Sequence, residues 1–154
     1  MSQQHQQHHL HHYNPNHTHL NEAATVAWLQ LRDLTRLDCI PGIGPKSMER
    51  IIECTKNCDI PINTGYALLG LFISMKRESD TVFDHVDRFY QWLQTTVEVH
   101  GNCHQITKSV AEKVNISFDG LYSDVLATSS MTPTQLKFYE ADNKTVGKGT
   151  KAKA

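Results

Sequence analysis

The chain has 154 residues, of which 39% are hydrophobic and 20% are charged, and its formal net charge is −1. This length fits one domain with tails. The near-zero charge argues against strong non-specific binding of nucleic acid over the whole surface, so a basic patch would have to be local. No apolar run approaches the ~20 residues of a membrane-spanning helix. The four cysteines are expected to be free thiols.

Both ends of the chain are predicted to be disordered. Residues 1–20 form a His/Gln-rich tail that holds seven of the ten histidines, and residues 119–154 finish in a segment with four lysines and no acid. Neither end can bury enough apolar surface to offset the entropy that is lost on ordering. The folded domain is therefore predicted to span residues 21–118.

Five helical segments and no strand are predicted within this domain. The first begins at Asn21, a possible N-cap, and continues through "EAATVAWLQLRDLTRL". The second begins near Pro45, because a proline in the first turn loses no hydrogen bond there. The third, "TGYALLGLFISM", is capped by Asn63 or Thr64. It is apolar nearly all round, which predicts a buried central helix.

The fourth helix has the clearest periodicity in the chain. Its apolar residues recur at helical spacing along one stripe, and they are Val82, Phe83, Val86, Phe89, Tyr90 and Leu93. Trp92 lies at the edge of that stripe. The fifth helix, "ITKSVAEKV", follows the short loop "HGNCHQ". The predicted fold class is therefore a small all-α bundle of five helices.

A glycine-rich turn, "IPGIGPKSMERII", connects the first two helices. Gly42 and Gly44 permit positive φ values and the close approach of a backbone or a phosphate, while Ile43 would anchor the turn in the core. The second helix begins with N–H groups that have no intrahelical partner, and these groups form an anion site with Lys46 and Ser47. Alternatively, the two glycines only make a tight turn between helices. The longer pattern resembles the helix–hairpin–helix motif of DNA repair, recombination and chromatin proteins, which contacts DNA without reading bases.

Further motifs follow the hairpin and extend this resemblance. In chain order they are Gly42-Ile43-Gly44, Leu69-Gly70-x-Phe72, Lys76-Arg77-x-x-Asp80, Phe89-x-x-Trp92-Leu93, and Asn102 with Gln105. Over residues 37–116 the series resembles the barrier-to-autointegration factor family, as a divergent and extended member. The segment before the third helix is longer here, about two extra helical turns precede the fourth motif, and His104 stands where the family has a lysine.

The resemblance implies a SAM-like, barrier-to-autointegration-factor-like fold that contains the helix–hairpin–helix motif. It implies a homodimer that binds and bridges double-stranded DNA without sequence preference, organises chromatin at the nuclear envelope and binds LEM-domain proteins. The implied location is the nucleus, with the cytoplasm also open. The implied DNA-binding residues are Gly42, Ile43, Gly44, Lys46, Ser47, Asn102, His104 and Gln105. The implied dimer contacts are Gly70, Phe72 and Trp92.

Gly70 has a physical interpretation of its own. A glycine inside a helix costs about 1 kcal/mol relative to alanine, a cost that is tolerable where another helix must approach closely. The approaching helix could belong to a second copy or to the same chain. His104 predicts DNA affinity that is weaker and more pH-dependent than with a lysine, because histidine is mostly neutral at pH 7. Binding measured from pH 6 to 8 at constant salt tests this prediction.

Two other functions stay open. One is a monomeric helix–hairpin–helix accessory module of a DNA repair or recombination complex. The other is a protein-interaction adaptor that has lost DNA binding. Within residues 22–116, ten Lys and Arg against twelve Asp and Glu give a net charge of −2, which favours the adaptor.

No enzyme activity, metal or cofactor is expected. No nucleophile motif surrounds any serine, and no phosphate loop or dinucleotide fingerprint is present. Cys54-x-x-x-Cys58 and His100-x-x-x-His104 imitate the spacing of zinc ligands. The two pairs are separated by more than forty residues, however, which is far longer than in a compact zinc finger.

Overall fold

A computed structural model describes residues 11–118 and 120–122. This part of the chain contains five α-helices and no strand, which confirms the predicted all-α class. The helices are α1 (Glu22–Gln30), α2 (Pro45–Thr55), α3 (Gly65–Ser74), α4 (Val82–Gln91) and α5 (Cys103–Ser117). A 3₁₀ turn, Leu37–Cys39, precedes the glycine turn, and a π-helical turn, Trp92–Thr96, extends α4. The lysine-rich end of the chain lies outside the described residues.

Side-chain caps explain where three of the helices begin. Asn21 caps α1 and accepts a hydrogen bond from the Ala24 N–H at 2.8 Å, as predicted. Thr64, one of the two predicted caps, accepts from the Ala67 N–H at 3.1 Å and begins α3. Thr81 begins α4 with a capping box, in which side chain and backbone bond reciprocally. Since none of the helices in the described residues is both long and apolar enough, none can cross a membrane.

Helix α1 is shorter than the sequence predicts. It ends at Gln30, and Leu31 has an extended backbone. The Lys113 ammonium, on α5, donates to the carbonyls of Trp28, Leu29 and Leu31. Those carbonyls belong to the end of α1, so a distant side chain satisfies groups that a longer helix would have bonded internally.

The central helix of the bundle is α5, whereas the sequence predicts α3. Nine α5 residues are buried, namely Cys103, Gln105, Ile106, Thr107, Ser109, Val110, Ala111, Lys113 and Val114. In α3 only Gly65, Leu68 and Phe72 are buried, and Tyr66 remains 52% exposed. The prediction of a buried central α3 is therefore wrong. An apolar helix with one exposed face has surface available for a partner.

The packed domain extends beyond both predicted boundaries. Residues 11–20, assigned from sequence to a disordered tail, lie against α4 and α5, and Tyr13 is only 2% exposed. At the other end, the Tyr122 hydroxyl bonds to His85 Nδ1 at 2.8 Å. His85 is fully buried inside the α4 stripe, where its Nε2 bonds to the Phe72 carbonyl. The packed domain therefore includes residues 11–20, which the sequence assigns to the tail.

Candidate nucleic-acid interface

Gly42 lies in direct contact with the first turn of α5. Its φ is +95°, in the left-handed region that favours glycine. A Cβ at this position would lie 2.9 Å from Ile106 Cγ1 and 3.2 Å from the Ile106 backbone nitrogen. Ile43 is 5% exposed and anchors the turn in the core, as expected. The structure therefore brings the glycine turn and the start of the last helix together.

Gly44 forms an open N-terminus for α2. Its backbone is extended and it is the N-cap of the helix, with no side chain making a cap hydrogen bond. The first intrahelical bond runs from the Met48 N–H to the Gly44 carbonyl, so the N–H groups of Lys46 and Ser47 precede it. A Cβ on Gly44 would meet no described atom within 4 Å, and Lys46 is exposed. This helix end is accessible and electropositive.

The N-terminus of α5 is the second helix end without a side-chain cap. Asn102 is its N-cap with a φ of 53°, and no side chain caps the helix. The first intrahelical bond runs from the Ile106 N–H to the Asn102 carbonyl at 2.9 Å, which leaves the three preceding N–H groups outside the intrahelical pattern. Because Gly42, two residues before the α2 N-cap, packs on Ile106, the glycine turn lies against the start of α5.

Helix α2 also holds the loop that leads into α5. The Arg50 guanidinium donates to the Glu98 carbonyl, and Cys54 Sγ lies 3.6 Å from the Thr96 carbonyl oxygen. Glu98 has a positive φ of 59°, which is uncommon outside glycine. Arg50 was not identified from the sequence, because an arginine on a polar helix face gives no sign of which distant carbonyl it contacts.

His104 is partly buried between two aromatic neighbours and the N-terminal segment. Its Nδ1 accepts a hydrogen bond from the Asn14 N–H at 3.0 Å, so its proton is on Nε2, which lies 3.2 Å from the Tyr90 hydroxyl. The His104 ring stacks on Tyr90 at 4.6 Å, and His17 approaches its edge at 5.0 Å. Burial, followed by repulsion from His17 and His11, lowers the pKa of His104. The side chain is therefore mostly neutral at pH 7.

The predicted DNA contact by the Gln105 side chain is not supported by the structure. Gln105 is 9% exposed. Its Oε1 accepts from the N–H groups of His19 and Leu20 at 3.2 and 3.3 Å, and its Nε2 donates to Ser109 Oγ at 3.0 Å. Both ends of the amide are satisfied within the protein, so the side chain is not available to a phosphate in this conformation. Asn102, in contrast, is exposed.

We refer to residues 11–20 as the strap, because they cross α4 and the first turn of α5. The Tyr13 N–H donates to Asp87 at 2.8 Å, and the His12 imidazole lies 3.0 Å from the same carboxylate. The Tyr13 ring lies 6.2 Å from the rings of both Tyr90 and His104. The sequence contains a signal for this segment that the disordered-tail prediction overlooked, since a tyrosine is unusual within a His/Gln tract.

The predicted dimer contacts lie in different surroundings. Phe72 is fully buried, stacked on His85 at 4.1 Å and packed edge-on against Phe89, so its assignment to a dimer interface is wrong. Trp92 is half-buried and stacks on Phe89 at 5.8 Å. Gly70 is exposed, and a Cβ there would meet no described atom within 4 Å. No helix of the described chain therefore crosses at Gly70.

No family model, curated protein or solved structure matches this chain. The proposals below therefore rest on the geometry of its own residues. Within the described ranges, Cys54, Cys58, His100 and His104 do not form a group that could hold a metal ion.

Proposed function

We propose that the protein binds double-stranded DNA through its phosphates, without sequence preference and without catalysing a reaction. The observations that support this function are two helix N-termini without side-chain caps, α2 at Gly44 and α5 at Asn102, and the contact of Gly42, in the turn before α2, with the first turn of α5. Backbone N–H groups and helix dipoles attract anions, and neither reads base identity. Lys46 adds an exposed positive charge at the α2 end.

The local character of this site determines how strongly it should bind. Residues 22–116 carry a net charge of −2, with ten basic against twelve acidic residues, so the rest of the surface does not attract DNA. Binding should therefore be weak and similar for duplexes of unrelated sequence. Added salt should reduce it with a shallow slope, because the salt dependence scales with the number of phosphates contacted. A titration with two unrelated duplexes at two salt concentrations measures these properties.

Gly44→Glu is expected to nearly abolish duplex binding while leaving the fold intact. The Gly44 backbone is extended and its surroundings are open, so the glutamate fits sterically. Its carboxylate would occupy the anion site and repel phosphates. Ile60→Glu is the matched control, because Ile60 is 74% exposed in the loop beyond the other end of α2. Duplex titration with both variants, after circular dichroism has verified their folds, is the measurement.

Two results would contradict the proposal. Equal binding by wild type and a well-folded Gly44→Glu protein would remove the glycine turn from the mechanism. Equal loss in Gly44→Glu and Ile60→Glu would show a general effect of charge and not a phosphate site.

We further propose that two copies pair through α3 and so bridge two duplexes. The exposed face of α3 carries Tyr66 and Gly70, with Leu69 and Ile73 half-buried beside them. A glycine costs about 1 kcal/mol inside a helix, and no helix of the described chain approaches Gly70 to explain that cost. Close approach by a second copy would explain it.

Gly70→Glu is expected to convert the dimer to a monomer that still contacts a single duplex. The variant keeps the helix, because glutamate is a better helix former than glycine, but its carboxylate would be buried unpaired in the pair of α3 helices. Sedimentation velocity measures the dimer, and a pull-down of one labelled duplex by another measures bridging. Gly44→Glu should show the reciprocal result, a dimer without DNA binding. A wild-type monomer that binds DNA would instead favour the accessory module.

The adaptor function has its own support in the strap, which covers His104 and occupies the Gln105 side chain. A dimeric wild type that binds neither duplex at low salt would favour it. The nuclear location and the LEM-domain partner stay expectations from the sequence resemblance.

A further inference from the structure

The strap contacts the first turn of α5, one of the two helix ends proposed to hold DNA. Its backbone is held at two successive residues, by His104 through the Asn14 N–H and by Gln105 through the N–H groups of His19 and Leu20. Both of these α5 residues follow Asn102, the N-cap of the helix. The segment therefore occupies surface that a phosphate backbone would need in order to contact both helix ends.

We propose that the strap is a proton-controlled cover, which lies over the start of α5 when His104 is neutral and leaves it when His104 is protonated. The hydrogen-bond geometry carries this inference. The Asn14 N–H points at His104 Nδ1, and the other ring nitrogen faces the Tyr90 hydroxyl. Only the unprotonated Nδ1 can accept that bond. A second ring proton would be added at Nδ1, where it would oppose the Asn14 N–H.

The titratable groups around His104 either repel a protonated ring or supply no negative charge to stabilise it. From the strap, His17 meets the ring edge at 5.0 Å and His11 adds repulsion, while Tyr13 lies alongside. From α4, Tyr90 stacks on the ring, and from α5 the neighbouring Cys103 thiol is buried with its pKa raised to about 11. Neither group supplies a negative charge below pH 8. The strap therefore leaves an added imidazolium without a counter-ion at the ring.

The sign of the pH effect follows from the pKa of His104, which burial and the neighbouring histidines hold below its ordinary 6.5. The conformation in which the strap covers the start of α5 has its full stability above about pH 6.5. It loses stability as the pH falls below that value. The strap also places the His12 imidazole 3.0 Å from the Asp87 carboxylate. His12 is 62% exposed, however, and exposed ion pairs contribute little.

Backbone relaxation of the full-length protein measures the strap directly. The amide order parameters of Asn14, His19 and Leu20 are expected to fall from about 0.85 at pH 7.5 to below about 0.6 at pH 5.5. The midpoint of that change should coincide with the titration of the His104 ring, followed in the same samples. Order parameters that are equal at both pH values, or midpoints that differ, would overturn the proposal.

Two variants separate His104 from the other histidines. His104→Gln keeps a side-chain acceptor but cannot titrate, so its strap should remain ordered at pH 5.5. His100→Gln changes an exposed histidine of the preceding loop and should behave like wild type. Release of the His104→Gln strap with the wild-type pH profile would overturn the proposal. If the strap of His104→Gln is mobile at both pH values, the glutamine does not replace the histidine as acceptor. The proposal then stands or falls on whether, in the wild type, the midpoint of strap release coincides with the midpoint of the His104 titration.

The effect on DNA rests on the proposed function and is measured separately. Tyr13→Ala removes the buried ring of the strap, so it should free the strap at pH 7.5 and tighten duplex binding about five-fold or more. Unchanged affinity with a released strap would refute the cover while leaving DNA binding intact. A strap that responds to pH as expected, in a protein that binds no duplex under any condition, would refute DNA binding instead.

Discussion

Gly42→Ala is expected to lower the free energy of unfolding by about 3 kcal/mol and the Tm by on the order of 10 °C. The φ of +95° strains any residue with a Cβ, at a cost of about 1–3 kcal/mol. The new methyl group would also lie 2.9 Å from Ile106 Cγ1, which must move within a packed core. Backbone strain and overpacking therefore act at the same position.

The second glycine of the same turn provides the control. Position 44 has a negative φ and open space around a Cβ, so Gly44→Ala should lower the free energy of unfolding by no more than about 1 kcal/mol, the cost of a poorer N-cap. Urea unfolding of the two variants, monitored by circular dichroism, measures the difference. Equal midpoints would show that the turn relaxes around a side chain at position 42, and the close packing of the glycine turn against Ile106 would then be wrong.

This contrast shows what the sequence of the glycine turn does and does not determine. Two glycines around Ile43 predict a tight turn, a buried Ile43 and an accessible N-terminus for α2. These three features are predictable because each depends only on residues that are neighbours in the sequence. The different roles of the two glycines depend on α5, which lies more than sixty residues later in the chain. Gly42 is required by its contact with Ile106, whereas Gly44 leaves the helix end accessible. No local pattern distinguishes the two roles.

The central position of α5 shows a second limit. Periodicity treats polar residues as exposed, yet Gln105, Ser109 and Lys113 are buried because each has a distant partner. Gln105 holds the strap, the Ser109 carbonyl accepts from the Trp28 indole at 2.9 Å, and Lys113 caps α1. In α3 the error is reversed, because periodicity treats an apolar face as core although no described element covers this one. Tertiary partners determine both outcomes.

The candidate site was predicted in part. The turn and the start of the last helix do meet, and Gly44, Lys46 and Asn102 are exposed. The role of Gln105 was not predictable, because its partners belong to a segment whose composition indicates disorder. The sequence predicts that His104 is mostly neutral at pH 7, and the lowered pKa of His104 agrees with this prediction. The structure adds the main cause of the lowered pKa, which is burial of the ring.

Asp80→Ala is expected to cost about 3 kcal/mol of stability, because it would leave the Arg88 guanidinium without its partner. Asp80 is 5% exposed and bonds to both terminal nitrogens of Arg88, at 2.6 and 2.8 Å. It also accepts from the Arg77 N–H at 2.7 Å, while Arg88 donates to the Met75 carbonyl. These bonds close the turn between α3 and α4. Since Arg88 is 26% exposed, water partly relieves the unpaired charge, which places the loss at the lower end of the range for buried pairs.

The same pair determines how stability changes in acid. Arg88 first, and then the Arg77 N–H, hold the pKa of Asp80 below its ordinary 3.8. A lowered carboxyl pKa adds stability that is complete above about pH 4 and is lost as the pH falls through the folded-state value. Wild type should therefore lose stability below pH 4 more steeply than Asp80→Ala, as measured by urea unfolding from pH 2.5 to 7. Asp59→Ala, in an exposed loop, should retain the wild-type slope. Parallel curves for wild type and Asp80→Ala would show that this carboxylate is not paired in solution, and that other contacts hold the turn between α3 and α4.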